Sequence, residues 1–322
     1  MIGTEEVWGI LGGGFGLYGY LPAVAERTGG RIHTLVRYRE TIRGRKDIQD
    51  YENRLAFEQD VKAVFARCNT VVIALRPADQ ESVLAGLLDQ KWTGRLILEK
   101  PLARTPGAAL SLLERLAGSG IVYRIGFTLG ATGWFAQLTE YLATHGSETV
   151  SLDFQWRFLA HHYRCDVDTW KRHPAQGGGA TRFFAIHLIA LLASLRMDTP
   201  LNYSHTITPS GEEPDCRFAV SGSNRNATVS CDSHCQGEPG FSIRATAMGA
   251  TALEIVLKDP FQEIAQNQLA PREQADVRIK YLRKILDSLD GAANDPAFYL
   301  RHVRLWSRLE ASMESPEGVI PR

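Results

Sequence analysis

Apolar positions in the first part of the chain come in short runs, and stretches with helical spacing separate them. Residues 7–11 form an apolar run that ends in glycines and predicts a buried strand. Helical spacing follows over 21–27, and a second strand-like run covers 32–36. Residues 56–66 carry helical periodicity and 70–75 (TVVIAL) read as a buried strand. The alternation continues with a helix over 78–90, a strand over 95–99 (RLILE), a helix over 105–117 and a strand over 121–127. Strands alternating with helices imply right-handed crossovers and a parallel sheet.

The texture changes near residue 125. A helix over 134–145 precedes a strand over 150–158, then a loop rich in His, Asp and Gly, then a long apolar helix over 180–195. Between 201 and 257, strand-like runs are separated by the turn signals PSGEEPD, SGSNRN and QGEPG. Such spacing predicts a largely antiparallel sheet. Helices over 273–292 and 296–313 close the chain. The expected fold class is α/β: an N-terminal Rossmann domain (1–124) with a doubly wound parallel sheet, and a C-terminal α+β domain (125–322) with a large, mostly antiparallel sheet.

Charge narrows the range of partners. Lys+Arg and Asp+Glu are both 36 and the pI is near 7.1, so nothing global recommends nucleic acid or an anionic membrane. The opening MIGTEEVWGILGGG has no basic n-region, and no segment reaches the ~20 apolar residues a membrane span needs. A cytoplasmic protein is expected. The five cysteines are odd in number and irregularly spaced, which fits reduced structural thiols. Cys231, His234 and Cys235 invite a metal reading. In a strand, however, positions four apart are separated by about 13 Å, so no metal is expected.

The glycines after the first strand carry chemistry. In VWGILGGGFGLYGYLPAV they lie between a strand and a helix, where a tight turn lets the backbone approach a pyrophosphate at the helix N-terminus. Two registers are open. Gly14, Gly16 and Gly19 match G-x-G-x-x-G literally. Gly12, Gly14 and Leu17 place the first glycine directly after the strand and are preferred, at the cost of the third glycine. Where an NAD enzyme usually has an acid for the ribose 2′-hydroxyl, this chain has Val36-Arg37-Tyr38-Arg39. Arg37, with help from Arg39, suits a 2′-phosphate, so NADP(H) is expected in preference to NAD(H). The strand over 95–99 runs into Lys100-Pro101, which puts a lysine at the end of a parallel strand, where such sheets bind ligands.

LEKPLA resembles the E-K-P motif of the Gfo/Idh/MocA oxidoreductases. Other segments match that family in order: GGGFGLYGYLPAV, IALRPADQ and WKRHPAQGGGATRFFAIHLIALLA. The resemblance implies hydride transfer between nicotinamide and a ketone or hydroxyl of a sugar, cyclitol or nucleotide-sugar. It assigns Lys100 and His187 as catalytic groups and adds Phe15, Leu75, Arg76, Glu99 and Pro101 to the cofactor contacts. A homodimer or homotetramer is implied as well. In the loop over 160–179, Arg164 and Lys171 are candidates for an anionic part of the substrate, and Trp170 for stacking on a ring. The chain departs from the family at Phe183 and Ala190, where acids are frequent. Those losses motivate an alternative, a dinucleotide-binding regulator or scaffold. A hydrolase that uses the nicotinamide transiently is a third reading.

Overall fold

The computed structural model describes residues 6–247, 250–262, 276–291 and 295–312. Six strands form the first sheet: β1 (Trp8–Leu11), β2 (Ile32–Leu35), β3 (Leu55–Glu58), β4 (Thr70–Ile73), β5 (Arg95–Leu98) and β6 (Val122–Ile125). All pairings are parallel and the order is β3-β2-β1-β4-β5-β6. This is the doubly wound nucleotide-binding order, with its reversal between β1 and β4. Every residue of β1 and β4 is buried, as expected for central strands covered on both faces.

The expected strands and helices appear within a few residues of their predicted bounds, with one correction. The helix predicted over 56–66 begins as β3, and the helix itself covers Val61–Arg67. Asp60 starts it by accepting a hydrogen bond from Ala63 N at 2.8 Å.

A second sheet has six strands in the order β12-β11-β7-β10-β9-β8. They are β7 (Val150–Arg157), β8 (Thr199–His205), β9 (Asp215–Ser221), β10 (Arg225–Asp232), β11 (Gly240–Ala247) and β12 (Ala250–Leu257). Only the β7–β10 pair is parallel. Along β7, Val150, Leu152, Phe154 and Trp156 are buried, while Ser151, Gln155 and Arg157 are exposed. One face is therefore covered and the other open.

Chain contacts divide the molecule into two units. Among the described residues, the first comprises 6–102, 114–128 and 276–291; the second comprises 103–113, 129–247, 250–262 and 295–312. The sequence reading has a single boundary at 124/125. The observed division instead returns a late segment, including the helix Ile279–Asp287, to the first unit. Of the helix predicted over 273–292, residues 273–275 and 292 lie outside the described residues, as does Met313 of the last helix.

In the second unit, the helix Pro296–Ala311 is capped by Asp295, which accepts from Phe298 N at 2.9 Å. Burial pushes its His302 down to about 3, against an ordinary value of 6.5. Burial, with Lys171, Arg172 and His161 nearby, likewise takes His162 down to about 4. Both histidines stay neutral in the fold and take up protons near 6.5 once unfolded, so the unfolded chain binds more protons below that pH. Their contribution is intact above 6.5 and is lost progressively as the pH falls toward 4 and then 3. Urea midpoints measured from pH 7 to 4 should therefore fall, and His302→Leu should flatten that fall.

Candidate active site

Three loops of the first unit leave the sheet side by side. Leu11, Ile73 and Leu98 are aligned partners at the ends of β1, β4 and β5. After them come the glycine turn, the segment Ala74-Leu75-Arg76 and the segment Glu99-Lys100-Pro101. The order reversal between β1 and β4 puts this edge at the position where open α/β sheets take ligands.

Gly12 follows β1 directly, with φ +141°. A Cβ there would lie 2.2 Å from Ala74 O. The strand exits come so close that only glycine fits. By contrast, a Cβ on Gly14 would meet nothing within 4 Å, so the backbone there faces open space. Gly16 packs against Ala74 and Ile10 and opens a π-helical turn, Gly16–Tyr20, that runs into the helix Leu21–Arg27. Leu17, at the third position of the preferred register, is buried. Gly19 lies under the Phe15 ring, which itself packs edge-on to Tyr18 and Tyr20 at 5.4 and 5.5 Å.

Beyond β2, Arg37 is exposed. Its guanidinium donates to Tyr38 Oη at 3.2 Å and lies 5.2 Å from that ring. Arg39 is turned elsewhere, stacking over Phe57 at 4.2 Å. Leu75 is half-buried, and Arg76 is exposed at the start of the helix Pro77–Asp89.

The Glu99–Leu102 segment is held from two sides. Fully buried Gln80 donates from Nε2 to the carbonyls of Glu99, Pro101 and Leu102 at 2.7, 3.2 and 3.1 Å. The Lys100–Pro101 peptide is cis. The Glu99 side chain is buried and accepts from Tyr20 Oη at 2.7 Å. Burial pushes its carboxyl up, against the opposing pull of Lys100, the Tyr20 hydrogen bond and Arg278. Burial and the Glu99 charge push the Tyr20 hydroxyl well above its ordinary value, which keeps it a donor. Sequence reasoning missed Gln80 and Tyr20 as supports, because both act through chain-distant partners.

In the second unit, buried His187 sits on the helix Ile186–Ser194, edge-on to Phe261 at 6.4 Å. A π-helical turn, Ala180–Ala185, precedes it. The G-G-G segment before that turn has φ +87° at Gly177 and +82° at Gly179. A Cβ on Gly179 would meet the Glu213 carboxylate at 2.0 Å, and one on Gly178 would meet Trp170 O at 2.0 Å. Glu213 is almost wholly buried. Its Oε1 accepts from Thr181 Oγ1 at 2.6 Å and Tyr203 Oη at 3.2 Å, and lies 2.8 Å from His205 Nδ1. This carboxylate comes from PSGEEPD, which in sequence is only a turn.

Of the loop candidates, the structure brings Trp170 and Lys171 together over Phe183, at 5.3 and 5.1 Å from its ring. Arg164 stands apart, exposed on the short helix His161–Arg164, 3.4 Å from His161 Nδ1. Arg172 is buried and structural: it donates to Glu212 at 3.0 Å and to the His162 carbonyl. Phe183 and Phe184 pack edge-on at 4.8 Å, so aromatic surface stands at the position of the frequent acid. Ala190 is buried.

The strand assumed to run through Cys231 to Cys235 ends at Asp232, and Cys231 instead faces Cys216 across β9 and β10. Among the described residues, Asp168, His173 and Glu212 group potential ligand atoms within 4.8 Å of one another. There His173 is already bonded to Asp168 at 2.6 Å and Glu212 to Arg172.

No family model and no curated protein matches the chain. Solved structures do. GenD2 from gentamicin A biosynthesis, in complex with NAD, aligns with a TM-score of 0.73 and 16% identity over 99% of this chain and 97% of its own. The WlbA dehydrogenase from Bordetella pertussis, in complex with NADH and UDP-GlcNAcA, aligns at 0.74 and 12% over all of both chains. The aldose-aldose oxidoreductase from Caulobacter crescentus aligns at 0.68 and 13% over 97% of this chain and 98% of its own. The fold is that of the Gfo/Idh/MocA oxidoreductases. At these identities the likeness is one of fold. Among the described residues, no helix is long and apolar enough to cross a membrane.

Within the Gfo/Idh/MocA fold, the two glycines have separable jobs. Gly12→Ala places a methyl against a backbone carbonyl at a positive φ and should destabilise the protein by roughly 1–3 kcal/mol. Gly14→Ala adds its methyl to open space and should change stability by less than about 0.5 kcal/mol. Urea unfolding of the two variants checks both outcomes.

Proposed function

We propose that the protein is a nicotinamide-dinucleotide-dependent oxidoreductase acting on a ketone or hydroxyl of a carbohydrate-like substrate: a sugar, cyclitol or nucleotide-sugar. The observation that carries this reading is the alignment of the glycine turn and the Lys100 segment at the switch point of a doubly wound sheet. The WlbA and GenD2 complexes with NADH and NAD support it from the side of the fold.

The residues present fit a dinucleotide. The open space before Gly14 leaves room for a pyrophosphate against bare backbone, at the start of a helix whose N–H groups favour anions. Gly12, Gly14, Phe15 and Gly16 would hold that group, with Leu75, Arg76, Glu99 and Pro101 along the neighbouring strand ends. Arg37 would meet a ribose 2′-phosphate, which is the basis for preferring NADP(H); Arg39 is held by Phe57 and contributes less. The bound dinucleotide supplies the hydride chemistry. Lys100 polarises the reacting oxygen and passes its proton, and His187 is the second acid/base group. Trp170 and Lys171 offer an aromatic face and a charge for the ring and its anionic substituent, and Arg164 a further charge. The protein is read as cytoplasmic, and the open face of the second sheet as the surface through which a homodimer or homotetramer forms.

Phe183 in an aromatic cluster, at the site of a frequent acid, favours one second reading: a dinucleotide-binding regulator without turnover. Assay separates the two. With NADPH and a panel of keto-sugars and nucleotide-linked keto-sugars, the enzyme reading expects substrate-dependent oxidation that falls about a hundredfold or more in Lys100→Ala. Binding with no turnover on any substrate supports the regulator. Arg37→Asp should weaken NADPH by about tenfold or more and favour NADH. An unchanged preference would remove the NADP assignment and leave the rest standing.

A further inference from the structure

We propose that Arg278 is a positioning residue for the glycine turn: its guanidinium holds the Phe15 ring, and so fixes the bare backbone against which a dinucleotide phosphate would lie. The inference deepens the oxidoreductase reading and rests on the turn as its dinucleotide site.

From Gly12 to Gly16, four of the five residues are glycine, and Phe15 carries the one side chain. Glycine has the widest backbone freedom of any residue, so such a turn is not held in one shape by its own chain. The exit of β1 fixes its start, where Gly12 meets Ala74 O. Its far end is closed by Leu17 N and Tyr18 N, which donate to Gly14 O at 2.9 and 3.2 Å. Between these points, Phe15 is the handle by which the rest of the unit can grip the turn through a side chain.

Tyr18 and Tyr20 pack edge-on to that ring at 5.4 and 5.5 Å. Gly19 lies so close that a Cβ there would sit 2.3 Å from Phe15 Cε2. The Arg278 guanidinium lies over the ring, 4.2 Å from its centroid, as a cation–π contact. Tyr18, Gly19 and Tyr20 belong to the same stretch of chain as Phe15; Arg278 comes from the late segment that returns to the first unit. Arg278 is itself anchored. Its Nε and Nη2 donate to Asp276 Oδ1 and Oδ2 at 2.8 and 2.6 Å. It also starts the helix Ile279–Asp287, whose Tyr281, Leu282 and Leu286 are buried. Arg27 of the helix Leu21–Arg27 donates to Asp287 of that helix at 2.8 Å. A guanidinium held in such a fork presents a flat face to a ring, which an ammonium cannot do. The ring, and with it the turn, is thereby tied to a helix outside the turn.

Amide hydrogen exchange of the full chain without ligand reads the turn, and the dissociation constants of NADPH and NADH read what the turn does for the site. Arg278→Lys keeps the charge and loses the fork and the flat face. Phe15→Leu keeps apolar bulk and loses the ring. Each should speed exchange over residues 13–18 and weaken the tighter nucleotide by about threefold or more. The double variant should bind no more weakly than the weaker single variant, because both changes remove one contact. Unchanged exchange, losses of affinity that add, or faster exchange with unchanged affinity would overturn the proposal. If Arg278→Lys does not fold, Asp276→Asn, which loosens the fork and leaves the guanidinium, takes its place with the same outcomes required. If the wild-type chain binds neither nucleotide, the oxidoreductase reading fails, and exchange alone still decides whether Arg278 fixes the turn.

Discussion

The first unit is organised by one backbone approach: Gly12 against Ala74 O, at the exits of β1 and β4. Parallel pairing brings the two strand ends level, and the reversal of strand order makes the chain leave in opposite directions from that point. The turn after β1 must therefore pass close over β4. A glycine at φ +141° allows it, and the following turn then widens to carry Tyr20 to Glu99. The same approach keeps Gly14 bare and outward, and it leaves the loop after β5 level with both. The bare turn and its support are thus consequences of a single tight contact.

The second unit solves a similar problem with a buried charge. The G-G-G turn packs against Glu213, whose carboxylate gathers Thr181, Tyr203 and His205 at the head of the His187 helix. A buried carboxylate is stable only when its oxygens are bonded, and here they are. Next to it, Trp170, Phe183 and Phe184 make an aromatic wall.

Much of this was legible in the sequence because the first unit is built from local signals. Apolar tetrads bounded by glycine or proline became strands, and the glycine-rich stretch lay between a strand and a helix as its spacing required. β3 was misread because Leu55–Glu58 runs without a glycine or proline into the helical pattern of Val61–Arg67, and only Asp60 marks the boundary. Glu213, Gln80 and Tyr20 were not legible as supports. Each is an ordinary residue for its local setting, and each gains its role from partners 8 to 79 positions away, from Glu213 with His205 to Tyr20 with Glu99. The return of the helix Ile279–Asp287 to the first unit was hidden for the same reason.

The proposed dinucleotide site is the edge formed by Gly12–Gly16, Leu75–Arg76 and Glu99–Pro101. Amide hydrogen exchange, measured with and without saturating NADPH or NADH, tests it most directly. A dinucleotide at that edge slows exchange in the glycine turn and in the segments after β4 and β5 with at least one of the two nucleotides. Unchanged exchange across all of these segments with both nucleotides would contradict it.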